Sequence, residues 1–392
     1  MTIIDRYYYY YLIFIGLLFL INPSVATISM LAVSYIANDK RLAIPSAIIV
    51  VSYIWCFQST RSFSLFESMD WAGNYYINFS RVSDTSFIKY IFVEKEFFWQ
   101  IFNYIGYYLF NGNFLIYANF IVALTFGLTI TSIYNYWHYS NYELRLFIVS
   151  IIIFAFLSET QMICNNLLRQ QFAFSMILYV IVKKVTTGKI GKYYFLAAVS
   201  VFTHTMMFLF IPLLFIKLNK KFTLKGYLYV LLCFFALFIS IKYLPYLSTI
   251  GLYGFQRLAT ANEYSGIDVM ENNAIYLFLF VMCIYYIKAI FIDKKCDSNR
   301  IFFCNFMMIL LLLCLLMNNM PLMQTRYFIL RLFLLPFIIP YFFIKRSIIK
   351  SLYMISICSF FIIRFYTYKY IFFDINNFVN QNLFQLNLLN IF

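Results

Sequence analysis

"YYFLAAVSVFTHTMMFLFIPLLFI", residues 193–216, is apolar and long enough to cross a bilayer once as a helix. Lysines crowd both of its ends: 183, 184, 189 and 192 come before it, and 217, 220, 221 and 225 follow. A single crossing would leave these clusters on opposite sides of a membrane. Lysine-rich loops, however, collect on the cytoplasmic side. The polar triplet Thr203-His204-Thr205 interrupts the run near its middle. A re-entrant hairpin that enters from the cytoplasm, turns at this triplet and returns satisfies both facts.

The rest of the chain is consistent with that reading. Of its 392 residues 64% are hydrophobic and 11% charged, and the mean hydropathy is +0.80. A globular domain carries about 25% charged residues. Apolar segments recur from 7–21 to 348–372, so the sequence predicts an all-α polytopic integral membrane protein. About ten to twelve transmembrane helices are expected, in one domain over residues 1–373 with a polar tail at 374–392. The run 7–21 reads as a retained first span, and "INPS" (21–24) as a separator or kink after it. Further basic groups at 294–295 and 345–350 then face inward with the other lysines, and the loops 58–112 and 247–273 face outward. The first outer loop holds "FFWQIFNYIGYYLF" (97–110), which predicts an amphipathic helix lying at the interface.

The net charge of +15 is read as cytoplasmic loop charge and not as a nucleic-acid surface. Eight cysteines form no C-x-x-C pair and only two histidines accompany them. A metal site or disulfide framework is not expected, and no phosphate-binding glycine loop is present. No internal repeat is evident.

While lysine serves the inner loops, the basic residues toward the outer half are mostly arginines: Arg169, Arg257, Arg326, Arg331 and Arg364. A guanidinium binds phosphate oxygens in bidentate fashion and stays charged when buried. The group therefore points to an anionic, phosphorylated, lipid-linked ligand. Asn165 and Arg169 fall one turn apart and would share a helix face, as would Asn166 and Gln170. The alternative for Arg169 is a snorkelling anchor whose neighbouring amides cap a helix. Arg331 and Arg364 lie several residues inside their spans, where an intramembrane pair without catalytic use is the competing reading. His204, at the hairpin apex, is either a core histidine or a functional base. Asp70, shortly before Tyr75 and Tyr76, suits a sugar that stacks on rings and donates to a carboxylate. Glu96 sits where it would cap the interface helix.

Five stretches together resemble the EpsG family, within the broader group of Wzy-type polysaccharide polymerases. They are "DWAGNYY" (70–76), "EKEFFWQIFNYIG" (94–106), "NLLRQQFAFSMILYVIVKK" (166–184), "KYYFLAAVSVFTHTMMFLFIPL" (192–213) and "TRYFILRLFLLPFIIPY" (325–341). "SMDW" lacks the glycine that usually precedes the family's acidic residue, and "HTMM" lacks a serine usual after the histidine. The resemblance implies roles for Asp70, Glu96, Arg169, Gln170, His204 and Arg326. It also implies a metal-independent and cofactor-free membrane glycosyltransferase at the outer face of the bacterial cytoplasmic membrane. Its substrate would be a polyprenyl-diphosphate-linked oligosaccharide repeat unit, and the product an O-antigen, capsule or exopolysaccharide. A chain-length regulator and a flippase of the same pathway would be partners. Another polyprenyl-phosphate-dependent glycosyltransferase, or a lipid-linked oligosaccharide flippase, is the rival assignment; the flippase should show related halves.

Overall fold

The computed structural model describes residues 3–59, 71–92, 96–216, 218–220, 232, 269–288, 297–317, 321–343 and 348–367. Every regular element in them is helical. Their packing divides the chain into two compact units, Met1–Phe215 with Phe343–Phe392, and Ile216–Phe342.

The first unit begins with α1 (Ile3–Ile21) and α2 (Pro23–Ala37). The "INPS" separator is a true break. Asn22 leaves the helical region and its side chain accepts from the Val25 N–H, while Pro23 opens α2, where its missing N–H costs nothing. The Tyr11 hydroxyl reaches the Ser29 carbonyl at 3.4 Å, holding the two helices together. α3 (Ala43–Ser59) follows.

The segment predicted from the sequence to face outward folds, where described, as a helical turn at Trp71–Tyr76, then α4 (Ile77–Ser80), α5 (Phe87–Ile91) and α6 (Phe97–Leu109). A turn at Asn111 and Gly112, both at positive φ, leads into α7 (Phe114–Tyr139). Here Gly106 admits the Tyr117 ring: a Cβ at that position would stand 2.3 Å from a ring carbon. Between apolar helices in lipid, such close approach and side-chain hydrogen bonds replace the hydrophobic effect as the adhesive. The Tyr117 hydroxyl accordingly donates to Asn103 Oδ1 at 2.9 Å.

α8 (Leu144–Ala155) and α9 (Ser158–Asn166) meet at a bend of 54°. α10 (Leu168–Thr187) starts after a second break at Leu167, whose φ of −115° and ψ of 50° are not helical. It ends at Gly188 in the left-handed conformation. Its long contacts are with α7 and with the segment 193–214.

That segment is the predicted hairpin. α11 (Tyr193–Thr203) stops at His204, which is extended (φ −152°, ψ 114°), and a 3-10 helix runs back over Thr205–Leu214. Both feet stand at the same end of α10: the Tyr193 ring lies 5.7 Å from that of Tyr179, and Lys184 Nζ donates to the Leu213 carbonyl at 3.0 Å. Tyr194 and Phe215 stack across the two legs at 6.4 Å. Toward the apex, Ser200 Oγ donates to the Ala173 carbonyl at 2.7 Å. The chain turns back at the polar triplet. Cysteines placed at Lys189 and Lys220 in a cysteine-free background should both be shielded from an impermeant label added outside intact cells. Labelling of one and not the other would mean that 193–216 crosses the membrane once.

The last helix of this unit packs against α8 and α9. The second unit is described through α12 (Val269–Ile287), α13 (Ser298–Leu316), α14 (Pro321–Ile329) and α15 (Arg331–Leu334), followed by short 3-10 turns to Phe343. The Tyr286 hydroxyl and Asn305 Oδ1 lie 2.9 Å apart, and Asn305 Nδ2 donates to the Leu218 carbonyl. Phe303 and Phe337 stack at 4.3 Å. In the first unit, α16 (Ile348–Thr367) closes the described chain.

Among the described residues three helices are long and apolar enough to cross a membrane alone: Lys40–Ser59, Phe114–Tyr139 and Ser298–Leu315. The bent pair of α8 and α9 makes a fourth if counted as one span. The sequence predicted ten to twelve. Part of the difference is that runs such as 226–246 lie outside the described residues. Breaks at Asn22, at Phe156–Leu157 and at His204 divide apolar runs into shorter helices, and α10, long enough to span, carries several charged and polar residues.

Candidate functional site

The site forms where three separate segments of the first unit meet: the start of α6, the start of α10 and the apex of the hairpin. Glu96 lies at the N-terminal position of α6 but makes no capping bond. Instead one carboxylate oxygen pairs with Arg169 Nη1 at 2.7 Å, and the other accepts the Thr205 backbone N–H at 3.0 Å. The Thr205 hydroxyl lies 3.4 Å from the same oxygen. The capping role expected for Glu96 is thus replaced by a cross-link between the start of α6, α10 and the hairpin. The carboxylate is 7% exposed and the Arg169 side chain 21%. A charge so buried needs its partner, since an unpaired one costs several kcal/mol.

The 3-10 leg begins under His204. Its Nδ1 accepts the Met206 backbone N–H at 3.3 Å, satisfying one of the donors that a helix start leaves over. An accepting Nδ1 in neutral imidazole puts the proton on Nε2. In this geometry His204 presents a donor at Nε2.

α6 is amphipathic as predicted, but with its polarity reversed relative to an interface helix. Gln100, Asn103 and Gly106 fall on the buried face with Trp99, whereas Ile105, Tyr108 and Leu109 are exposed. The polar side faces the protein. Buried amide atoms there exceed their partners: Gln100 Oε1 and Asn103 Nδ2 on α6, and both amide atoms of Gln171 in the first turn of α10, make no hydrogen bond among the described residues. Buried donors and acceptors left over in this way call for a further partner, such as water or a polar ligand.

The predicted pairing of Asn165 with Arg169 on one helix face does not hold. The break at Leu167 puts Asn165 in α9 and Arg169 in α10, and helical spacing cannot be carried across it. Asn165 Nδ2 turns back on the Gln161 carbonyl of its own helix. Gln170 is buried in the first turn of α10, next to Arg169 in sequence. Tyr75 is buried edge-on against Trp99 at 5.8 Å and fills the core beneath the outer segment. Tyr76 is the more exposed ring of that pair, at 41%.

The remaining arginines separate. Arg364, on α16, binds Glu159 of α9, which also accepts from the Ser158 hydroxyl. This ion pair ties α16 to α9, as the competing reading for that residue would have it. Arg331, in the second unit, lies with its guanidinium 3.4 Å from the Phe328 ring centroid and donates to the Phe328 carbonyl. A cation–π seat of this kind also accounts for it structurally. Arg326 is half-buried on α14 of the same unit. Asp70 and Arg257 lie outside the described residues.

Sequence reasoning proposed Glu96, Arg169 and His204 separately and missed what joins them. The donor is a backbone N–H, that of Thr205, and no residue pattern announces a backbone donor. Gln171 was also missed, although "RQQ" carries two adjacent amides; the signal was the second one, on the face turned toward the unit's interior.

Residues 62–386 match the EpsG family. The chain belongs to the EpsG family. It is a multi-pass membrane protein of a family linked to exopolysaccharide biosynthesis. The EpsG match spans all five stretches on which the resemblance rested and extends beyond them at the C-terminal end. No curated protein and no solved structure matches the chain.

Proposed function

We propose that this EpsG-family protein polymerises polyprenyl-diphosphate-linked oligosaccharide repeat units at the outer face of the bacterial cytoplasmic membrane. The observation that carries the reading is a half-buried guanidinium, Arg169, held by Glu96, whose other oxygen accepts the N–H of the residue after His204, with unsatisfied buried amides on the same two helices. Diphosphate and sugar are the two halves of such a ligand. The guanidinium suits the first and the amides of Gln100 and Gln171 the second.

In the transfer, an acceptor hydroxyl oxygen forms a bond to the anomeric carbon of the donor glycan. The bond from that carbon to the diphosphate oxygen breaks, and its electron pair leaves with the diphosphate. Arg169 stabilises the charge that develops there, and the Nε2–H of His204 donates to a phosphate oxygen. The hydroxyl proton passes to a carboxylate, for which Asp70 in the first outer loop is our candidate. Arg326 is a second candidate for the diphosphate.

The test is reconstitution. Purified protein in liposomes, supplied with lipid-linked repeat units of its own pathway, should build a ladder of longer lipid-linked chains and release polyprenyl diphosphate. Movement of the units across the bilayer without any ladder would establish a flippase and overturn the proposal.

A further inference from the structure

We infer that Gln100 and Asn103 form a seat for one hydroxyl group of the sugar linked directly to the diphosphate, and so help to decide which sugar is accepted. This rests on the reading of Arg169 given above. Both amides lie on the face of α6 that carries Glu96. The Gln100 N–H bonds to the Glu96 carbonyl at 3.3 Å, so the helical turn begins there, and positions 96, 100 and 103 make a single stripe. The whole stripe is buried: Glu96 is 5% exposed, Gln100 and Asn103 2% each. One end is held by the Arg169 guanidinium on Glu96. At the other end Asn103 is locked in place. Its Oδ1 accepts the Tyr117 hydroxyl, and the Tyr117 ring fills the notch at Gly106 and stacks on Phe79 at 4.9 Å.

Two complementary atoms are left over between these ends. Gln100 Oε1, an acceptor, has no donor, and Asn103 Nδ2, a donor, has no acceptor among the described residues. Side chains three apart on a helix are neighbours and can bond each other; these two do not. The pair thereby sets the chemistry of its partner. One hydroxyl group donates its hydrogen to Oε1 and accepts from Nδ2, which satisfies both atoms. A diphosphate oxygen has no hydrogen to give to Oε1, and an apolar group serves neither atom. The stripe thus divides into an anion end at Arg169 and a hydroxyl end at Gln100 and Asn103. A helical rise of about 6 Å separates Glu96 from Gln100, comparable to the width of a sugar ring. A water molecule carries the same donor and acceptor. Place favours the sugar: the pair shares its stripe with the carboxylate that holds the guanidinium, and the 21% exposed Arg169 side chain gives the way in.

Binding in nanodiscs tests the seat. The full-length protein is titrated with two radiolabelled lipids, bare polyprenyl diphosphate and polyprenyl diphosphate carrying the repeat unit of its own pathway. Gln100→Met keeps the length of the side chain and removes the acceptor. It should weaken the glycan-bearing lipid about 10-fold in Kd and leave the bare lipid unchanged. The Tm should stay level or rise, because a buried acceptor without a donor is gone. Arg169→Lys should weaken both lipids. If Gln100→Met weakens both alike, Gln100 merely supports the site; if it weakens neither, water fills the pair. Either result overturns the seat and leaves the reading of Arg169 standing. If the native protein retains neither lipid, or Arg169→Lys spares both, the reading of Arg169 fails and the seat fails with it.

Discussion

Arg169→Lys should abolish the polymer ladder, with a loss of roughly 100-fold or more in transfer rate, the cost of removing one preorganised donor from developing charge. Lysine keeps the positive charge beside Glu96 but cannot grip a diphosphate with two parallel N–H groups. The protein should accumulate normally, and single repeat units should remain on their lipid carrier. Arg169→Ala is a poorer experiment than its simplicity suggests. It strands a carboxylate that is 7% exposed, and breaking a buried pair costs about 3–5 kcal/mol. Glu96→Gln supplies the contrast, because its amide oxygen still accepts the Thr205 N–H while the charge is gone. If Arg169 were only the counter-ion of Glu96, these two variants would be equally mild. A near-normal ladder from Arg169→Lys would remove the residue from the chemistry.

His204→Asn separates two roles that the structure combines. Asparagine is a strong residue at a helix start and can accept the Met206 N–H in place of Nδ1. The hairpin should therefore form and the protein accumulate. The Nε2–H donor to the leaving diphosphate is lost, and with it roughly 100-fold or more of the rate, the cost of removing one donor from developing charge. His204→Ala should lose the same chemistry and, in addition, about 1 kcal/mol of stability from the missing cap. Equal polymer length and rate from His204→Asn and the native protein would show that the histidine only caps the returning leg. The readouts are band intensity on a membrane blot and the ladder from the same preparations.

Glu159 and Arg364 illustrate how a sensible sequence argument goes astray. An arginine deep in an apolar run needs a partner, and that much was legible. Which partner it takes depends on the 54° bend between α8 and α9, which puts Glu159 in reach of α16. A bend of that kind follows from how neighbouring helices pack, so the ion pair was not deducible and Arg364 was grouped with the ligand-binding arginines. The shared face proposed for Asn165 and Arg169 failed for a related reason. Helical periodicity was extended through Leu167, a residue with no local signal of a break.

The sequence by itself determined the class, the hairpin and most of the participants. Apolar run length required membrane helices, because a backbone in hydrocarbon must bond internally. The two lysine clusters required residues 193–216 to begin and end on one side, and the polar triplet located the turn at His204. These are consequences of local composition and of charge, which act along the chain. The tertiary structure alone decided the partners. It joined Glu96 to a backbone N–H more than a hundred residues away, gave His204 Nδ1 the Met206 N–H to accept, and turned the polar side of α6 inward. A backbone donor and a helix's rotation about its own axis leave no trace in residue order, because each is fixed only by what packs against it.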